Sequence, residues 1–245
     1  MKKIIALMLV LCCMLAVVSC GPDPSSDPTA ARVEEVKEMF KTSIPTKTVT
    51  TTVHKVESTV LTNTATLTTG NVNGKKVSVY VNNIEELAQV SNSLDPIDRR
   101  TTTLWYMEGM GTSKDKGATW DPEGTNFAPV AGAIRLQLDM GKATETTYDE
   151  ATYTLVMKYA AKDANAVVSS YLTEDQKIDS DLVVTVVTSG GNVASIKLEY
   201  TIPSHDKTVE GATNEDGSAV TITIPESTVT ITAVYEYDLQ DVTLD

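Results

Sequence analysis

From Thr46 onward the chain alternates apolar and polar residues with a period of two, and that alternation restricts its fold more than any other feature. Val77-Val79-Val81, Ile134-Leu136-Leu138-Met140, Tyr153-Leu155-Met157-Tyr159, Ile196-Leu198-Tyr200-Ile202 and Val229-Ile231-Ala233-Tyr235-Tyr237 each place apolar side chains two residues apart. Most of the residues between them are polar or small. Successive side chains of a strand point to opposite faces, so each run buries one face, as antiparallel sheets do and all-parallel sheets do not. Thr makes up about one residue in seven, and its branched side chain suits a pleated surface. Asn73-Gly74 fits a tight hairpin turn, and Gly190-Gly191-Asn192 and Asp216-Gly217 mark further reversals.

Three segments carry a helical period instead. Over residues 29–42, Val33, Val36 and Phe40 share a stripe opposite Glu34, Glu35, Lys37 and Lys41, and Pro45 closes the helix. In "NNIEELAQVSNSLDP" Asn83 is placed to cap a helix with Glu86 three residues on; Ile84, Leu87, Ser91 and Leu94 share a face, and Asp95-Pro96 stops it. In "KDANAVVSSYL" Asp163 is placed as a cap, and Ala164, Val167, Val168, Tyr171 and Leu172 form the apolar stripe. Helices with one apolar face pack onto a sheet, so the expected class is α+β: a mostly antiparallel sheet, an N-terminal helix and two short helices on it.

The first thirty residues do not belong to that fold. Lys2 and Lys3 precede an uncharged run from Ile4 to Val18, long enough for a signal peptide and short of the roughly 20 residues that span a bilayer. The sequence Val17-Val18-Ser19-Cys20 resembles a bacterial lipobox, which implies cleavage before Cys20 and acylation of its sulfur. On that reading residues 1–19 are the leader, 20–30 an acylated Cys and Pro-rich tether, and 31–245 a single β-rich domain in the cell envelope, facing the periplasm or the exterior. All three cysteines lie at or before position 20, so the domain has no thiol for a disulfide, a zinc site or a Cys nucleophile. Loss of the leader removes two lysines and no acid, taking the net charge from −13 to −15. An acidic chain whose basic residues are scattered, with Lys75-Lys76 and Arg99-Arg100 as the adjacent pairs of its domain, has no face for nucleic acid, so the expected membrane attachment rests on the acyl chains.

Ser113-Lys114-Asp115-Lys116-Gly117-Ala118-Thr119-Trp120 resembles the Asp-box, a hairpin motif repeated in sialidases and other secreted carbohydrate-active proteins. Ser113, Asp115, Gly117, Thr119 and Trp120 carry the match, with Asp115 expected to organise the turn and Trp120 to pack beside Trp105. A propeller uses several such boxes at a fixed period, and this chain has one. The three arginines that bind substrate in that family do not map onto Arg32, Arg99, Arg100 and Arg135. His54 and His205 sit in no triad or metal-ligand pattern and are expected to be exposed. Asp115, Asp121 and Glu123 lack calcium-loop spacing. No catalytic residue, metal or cofactor is therefore assigned.

The order of elements, an N-terminal helix followed by Thr-rich hairpins, a helical interruption and long closing strands on an anchored envelope protein, resembles the outer-membrane lipoprotein-carrier (LolA-like) superfamily and its lipid-binding relatives. The resemblance implies a strongly curved, incomplete antiparallel barrel with helices over its concave side and an acyl-binding cavity between. Phe127 and Val130 in "GTNFAPVAGAIRL", with Leu87, Leu94, Val168 and Tyr171 from the two short helices, are the candidate pocket-lining residues. The expected function is a non-catalytic envelope lipoprotein carrying an apolar, lipid-like ligand. A structural or adhesive surface lipoprotein and a glycan-active protein are the alternatives.

Overall fold

The fold was analysed in a computed structural model that describes residues 28–90, 93–124, 138–214, 218–242 and 244. Helix α1 (Pro28–Thr42) precedes a five-strand meander, β1 (Lys47–Val56), β2 (Thr59–Val72), β3 (Lys75–Val90), β4 (Ser93–Met107) and β5 (Gly111–Ser113). The second part holds β6 (Glu145–Asp149), β7 (Thr154–Tyr159), helix α2 (Ala161–Val167), β8 (Leu182–Ser189) and β9 (Asn192–Ile202). A hairpin of β10 (His205–Thr213) and β11 (Ala219–Ile224) follows, and β12 (Ser227–Glu236) ends the sheet. Ten strands form one open sheet in the order β5-β4-β3-β2-β1-β12-β9-β8-β7-β6, with β10 and β11 pairing separately. Every pairing is antiparallel. β12 joins the halves, pairing with β1 on one side and β9 on the other.

Residues directly opposite in an antiparallel pair share a face, so the register sorts every side chain. One face, here called inner, carries Tyr235, Ala233, Ile231 and Val229 of β12 and, across the ladder, Ile196, Leu198 and Tyr200 of β9. It continues through Val186 and Val184 of β8 to Leu155 and Met157 of β7. These residues are almost wholly buried, together with Val36 and Met39 of α1 and Ala164 and Val167 of α2. Their alternation is the sequence pattern made physical. Each fully buried large apolar side chain contributes about 1.5–3 kcal/mol relative to exposure.

A second, smaller cluster lies on the outer face at the far end of the sheet. Val77 of β3 and Met107 of β4 stand opposite each other and pack with Val242; Val72, Val79, Trp120 and Leu244 surround them. The chain's last segment reaches that face over Gly70, where an added Cβ would come within 2.8 Å of both Gln240 O and Val242 Cγ2. A side chain at position 70 would therefore displace the tail.

Local expectations were met unevenly. α1 falls where the stripe places it, with Val36 buried and Val33 and Phe40 packed against the core. Asn73 and Gly74 both take positive φ, the hairpin geometry their sequence suits. The expected helix over 83–94 does not form: residues 83–90 lie in β3 and 93–94 in β4, with Ser91 outside the described residues, and β3 is paired residue by residue to β2 from Val72↔Lys75 to Thr59↔Ala88. Asn83, read as a cap, instead accepts a 2.8 Å hydrogen bond from Thr101 Oγ1 across the ladder. Once the Asn73-Gly74 turn sets the register, strands on both sides satisfy this backbone, outweighing a weak local helix preference.

α2 has Ala160 at its N-cap position with no side-chain cap, and Asp163 lies in its first turn instead of capping it. A one-turn 3-10 helix at Ser169–Tyr171 follows. Met140, expected to close a strand, opens a 3-10 turn capped by Asp139, which accepts from Gly141 N at 3.1 Å. Tyr153 takes a left-handed turn conformation (φ 52°), so its strand begins one residue later.

Candidate functional site

The two helices lie against β6, β7 and β9, and beyond β12 the inner face changes character. In the transverse rows of β1 to β4, Thr50 is opposite Ala65, Ala65 opposite Asn82, and Asn82 opposite Thr102. The next row is Thr52, Asn63, Ile84 and Arg100, followed by His54, Leu61, Glu86 and Asp98. Tyr80 and Leu104 stand opposite each other on the other side of Asn82. Leu61, Ala65, Tyr80, Ile84, Leu104 and Tyr106 are all half-buried, unlike the filled core of the other half.

Three polar atoms on this face are out of solvent and have no hydrogen-bond partner among the described residues: His54 Nε2, Asn63 Oδ1 and Asn82 Oδ1. By register they form a diagonal across β1, β2 and β3, each one row from the next. A buried polar group without a partner costs about 1–3 kcal/mol, and such groups in native structures call for a specific cause. Burial also pushes the His54 imidazole below its ordinary pKa, so the ring is neutral at pH 7. Charged groups share its face: Glu86 and Asp98 lie in its own row and Arg100 lies in the adjacent one. Arg100 is engaged by Asp98 at 2.6 Å.

A separate cleft of about 350 Å³ opens between α1 and the β8–β9 turn, lined by residues including Arg32, Glu35, Met39, Tyr153 and Gly190. Arg32 is occupied there, ion-paired with Glu35 and stacked 4.8 Å over the Tyr148 ring. Among the described residues no group of three His, Cys, Asp or Glu side chains could hold a metal ion.

Of the sequence-derived pocket residues, Leu87, Val168 and Tyr171 are not brought to one wall. Val168 is wholly buried in the helix-covered core. Tyr171 packs against that core, its hydroxyl pKa pushed up to about 12 by burial. Leu87 lies on the opposite, outer side of the sheet, in register with Pro96 beyond a bulge. Leu94 lies in β4 across from Gln89. Phe127 and Val130 lie outside the described residues, as does Cys20.

The stretch 113–120 forms a loop closed by Thr112 and Asp121, which exchange backbone hydrogen bonds of 2.9 and 2.7 Å. Within it Asp115 Oδ1 accepts from Thr119 N (2.9 Å) and Ser113 Oγ (2.7 Å), and Oδ2 accepts from Thr119 Oγ1 (2.6 Å). Ser113 Oγ in turn accepts from Gly117 N at 2.8 Å. These bonds, the Thr119 hydroxyl first, hold the Asp115 pKa down at about 2. Trp120 is half-buried beside the outer-face cluster, close enough that a Cβ on Gly117 would meet its ring at 2.9 Å. Trp105, 9% exposed, is on the same outer face opposite Ser113. The loop therefore faces away from the inner-face polar diagonal.

Neither histidine is freely exposed. His54 is half-buried, and His205 packs with its Nδ1 3.0 Å from Pro203 O and its Nε2 3.7 Å from Asp175. Arg99 and Arg100 point to opposite faces, paired with Glu85 and Asp98, so they do not converge as a carboxylate clamp. The polar diagonal was not anticipated. Its available signal was Asn63 and Asn82 within alternating Thr- and Val-rich runs, because Asn is depleted in strands.

No family model and no curated protein matches the chain. Among solved structures it is similar to a DUF1329-family protein from Desulfovibrio piger, with 10% identity over 90% of this chain and 98% of that one, at a TM-score of 0.26. It is also similar to the LolA-superfamily protein NE2245 from Nitrosomonas europaea, with 10% identity over 89% and 96% of the two chains, at a TM-score of 0.21.

Proposed function

We propose that the chain is a non-catalytic envelope lipoprotein, anchored through acylated Cys20 and facing the periplasm or the exterior, that holds an apolar, lipid-like ligand on the inner face of β1–β4. In this reading the open sheet curves strongly, as an incomplete barrel, around that ligand. One observation carries the proposal. A single continuous face is filled under α1 and α2, yet it leaves Leu61, Tyr80, Ile84, Leu104 and Tyr106 half-buried in the other half. Apolar side chains left partly accessible together on one face mark a place of contact. Native mass spectrometry of the full-length protein from a lipid-containing host is expected to show co-purifying acyl species that leave on delipidation. A protein that carries none and takes up none from added fatty acid or phospholipid overturns the carrier reading. For the anchor, Cys20→Ser should abolish palmitate incorporation and membrane retention.

A second reading, a structural or adhesive surface protein, is favoured by the β10–β11 hairpin. It pairs with no other described strand and exposes Ile222, 44% accessible. Protease shaving of intact cells tests it: an exterior adhesin is cleaved, and a protein enclosed in the periplasm is not.

A further inference from the structure

We infer that the His54–Asn63–Asn82 diagonal binds an uncharged, hydroxyl-rich group of the sugar or polyol class, either as the headgroup of an amphiphile or as a free oligosaccharide. The inference rests on the proposal that the inner face of β1–β4 is a ligand face, and it names the chemistry that face selects.

Asn63 Oδ1 and Asn82 Oδ1 are acceptors without donors, so the missing partner must supply at least two donated hydrogens. His54 Nε2 requires a donor or an acceptor according to tautomer, and a hydroxyl satisfies either form. An anion offers no donor to the two carbonyl oxygens and meets Glu86 and Asp98 on the same face, in a chain of net charge −13. The basic group nearby, Arg100, is taken by Asp98.

The steps along the diagonal are about 7–8 Å each, so the line suits an extended ligand better than a single small molecule. Its borders fit the same class. Tyr80 and Leu104 flank Asn82 on one side, while Leu61 and Ile84 flank Asn63 on the other. A sugar presents hydroxyls at its edge and C–H groups on its faces, and tyrosine supplies a flat apolar surface with a polar tip. Thr50, Thr52 and Thr102 add hydroxyls in the same rows.

The test titrates the full-length protein with a panel of neutral and anionic oligosaccharides, and with phosphatidylcholine vesicles with or without a monogalactosyl diacylglycerol. It repeats both titrations with N63L/N82L. This variant replaces each orphaned amide with an apolar side chain of similar size, so its unliganded melting temperature should be unchanged or higher. Neutral sugar is expected to bind, free or on the vesicle, and the double variant to weaken it at least about tenfold. Preference for the galactolipid vesicle over free sugar assigns the headgroup source. Binding of free sugar alone supports this inference while overturning the lipid-like ligand. Equal binding to plain and galactolipid vesicles, unchanged in the double variant, overturns the inference while leaving the lipid-like ligand standing. No binding to any neutral sugar, stronger binding to anionic ones, or full sugar affinity in N63L/N82L also overturns it.

Discussion

The two halves of this sheet share an unbroken ladder and treat their inner faces differently. β7, β8, β9 and β12 alternate buried and less-buried residues along their length. β1 and β2 alternate as well, but with Thr, Asn and His in many inner positions, and nearly every residue is half-buried. Strand formation needs branched side chains and hydrogen-bonded neighbours, and Thr supplies the first as well as Val does. A core needs apolar volume on one face, and Thr does not supply that. The same secondary structure thus serves as a packing scaffold in one half and as a polar-apolar platform in the other. The first half's own apolar cluster, around Val77, Met107 and Val242, forms on the outer side.

The sharpest way to break this comparison is to truncate one leucine in each half. Leu198, 1% exposed in β9, should cost about 2–5 kcal/mol as Leu198→Ala. Leu61, on the same face in β2, should cost about 1 kcal/mol as Leu61→Ala, because only part of its surface leaves water. Equal losses in chemical denaturation would mean that both halves are cores. Trp120→Ala probes the outer cluster. A half-buried indole should cost about 1–2 kcal/mol, below the roughly 3–5 kcal/mol of a fully buried one, with ligand binding on the inner face unaltered. Unchanged melting with lost binding would instead make the 113–120 loop the site.

The smallest effect concerns Asp115. Its pKa in the fold lies below the unfolded value of 3.8, at about 2, so its carboxylate stabilises the fold above about pH 4, and that contribution fades as pH falls toward 2. Asp115→Asn should therefore melt slightly below wild type at pH 7, with the gap narrowing between pH 4 and 2. A gap independent of pH would show that the charge on Asp115 contributes nothing.

How much of this was legible in the sequence follows from the same contrast. Where alternating residues are large and apolar, as in Leu155-Met157-Tyr159 or Ile231-Ala233-Tyr235, one periodicity gave both strand and core, and the structure agrees. The stripe of α1 was equally plain. In residues 83–94 the local pattern favoured a helix, and the register propagated from Asn73-Gly74 prevailed; a single sequence does not display the neighbouring strands that settle that competition. The polar diagonal was hidden because His54, Asn63 and Asn82 lie far enough apart in sequence to read as three ordinary polar residues. Only the β1–β2–β3 register makes them neighbours.

The most direct test of the account compares two alanines in one transverse row: Ala233 and Ala65, each paired with Thr50 from opposite sides. Ala233 is 1% exposed and Ala65 half-buried. The native cysteines are confined to positions 12, 13 and 20, so an unsubstituted control fixes the background for single Cys variants at either site. Thiol labelling under native conditions should be fast at Ala65→Cys and slowed by whichever lipid or sugar the protein takes up. At Ala233→Cys it should proceed only at the rate of unfolding. Equal protection of the two thiols would contradict the account, because the inner face would then be one continuous packed core with no room for a ligand.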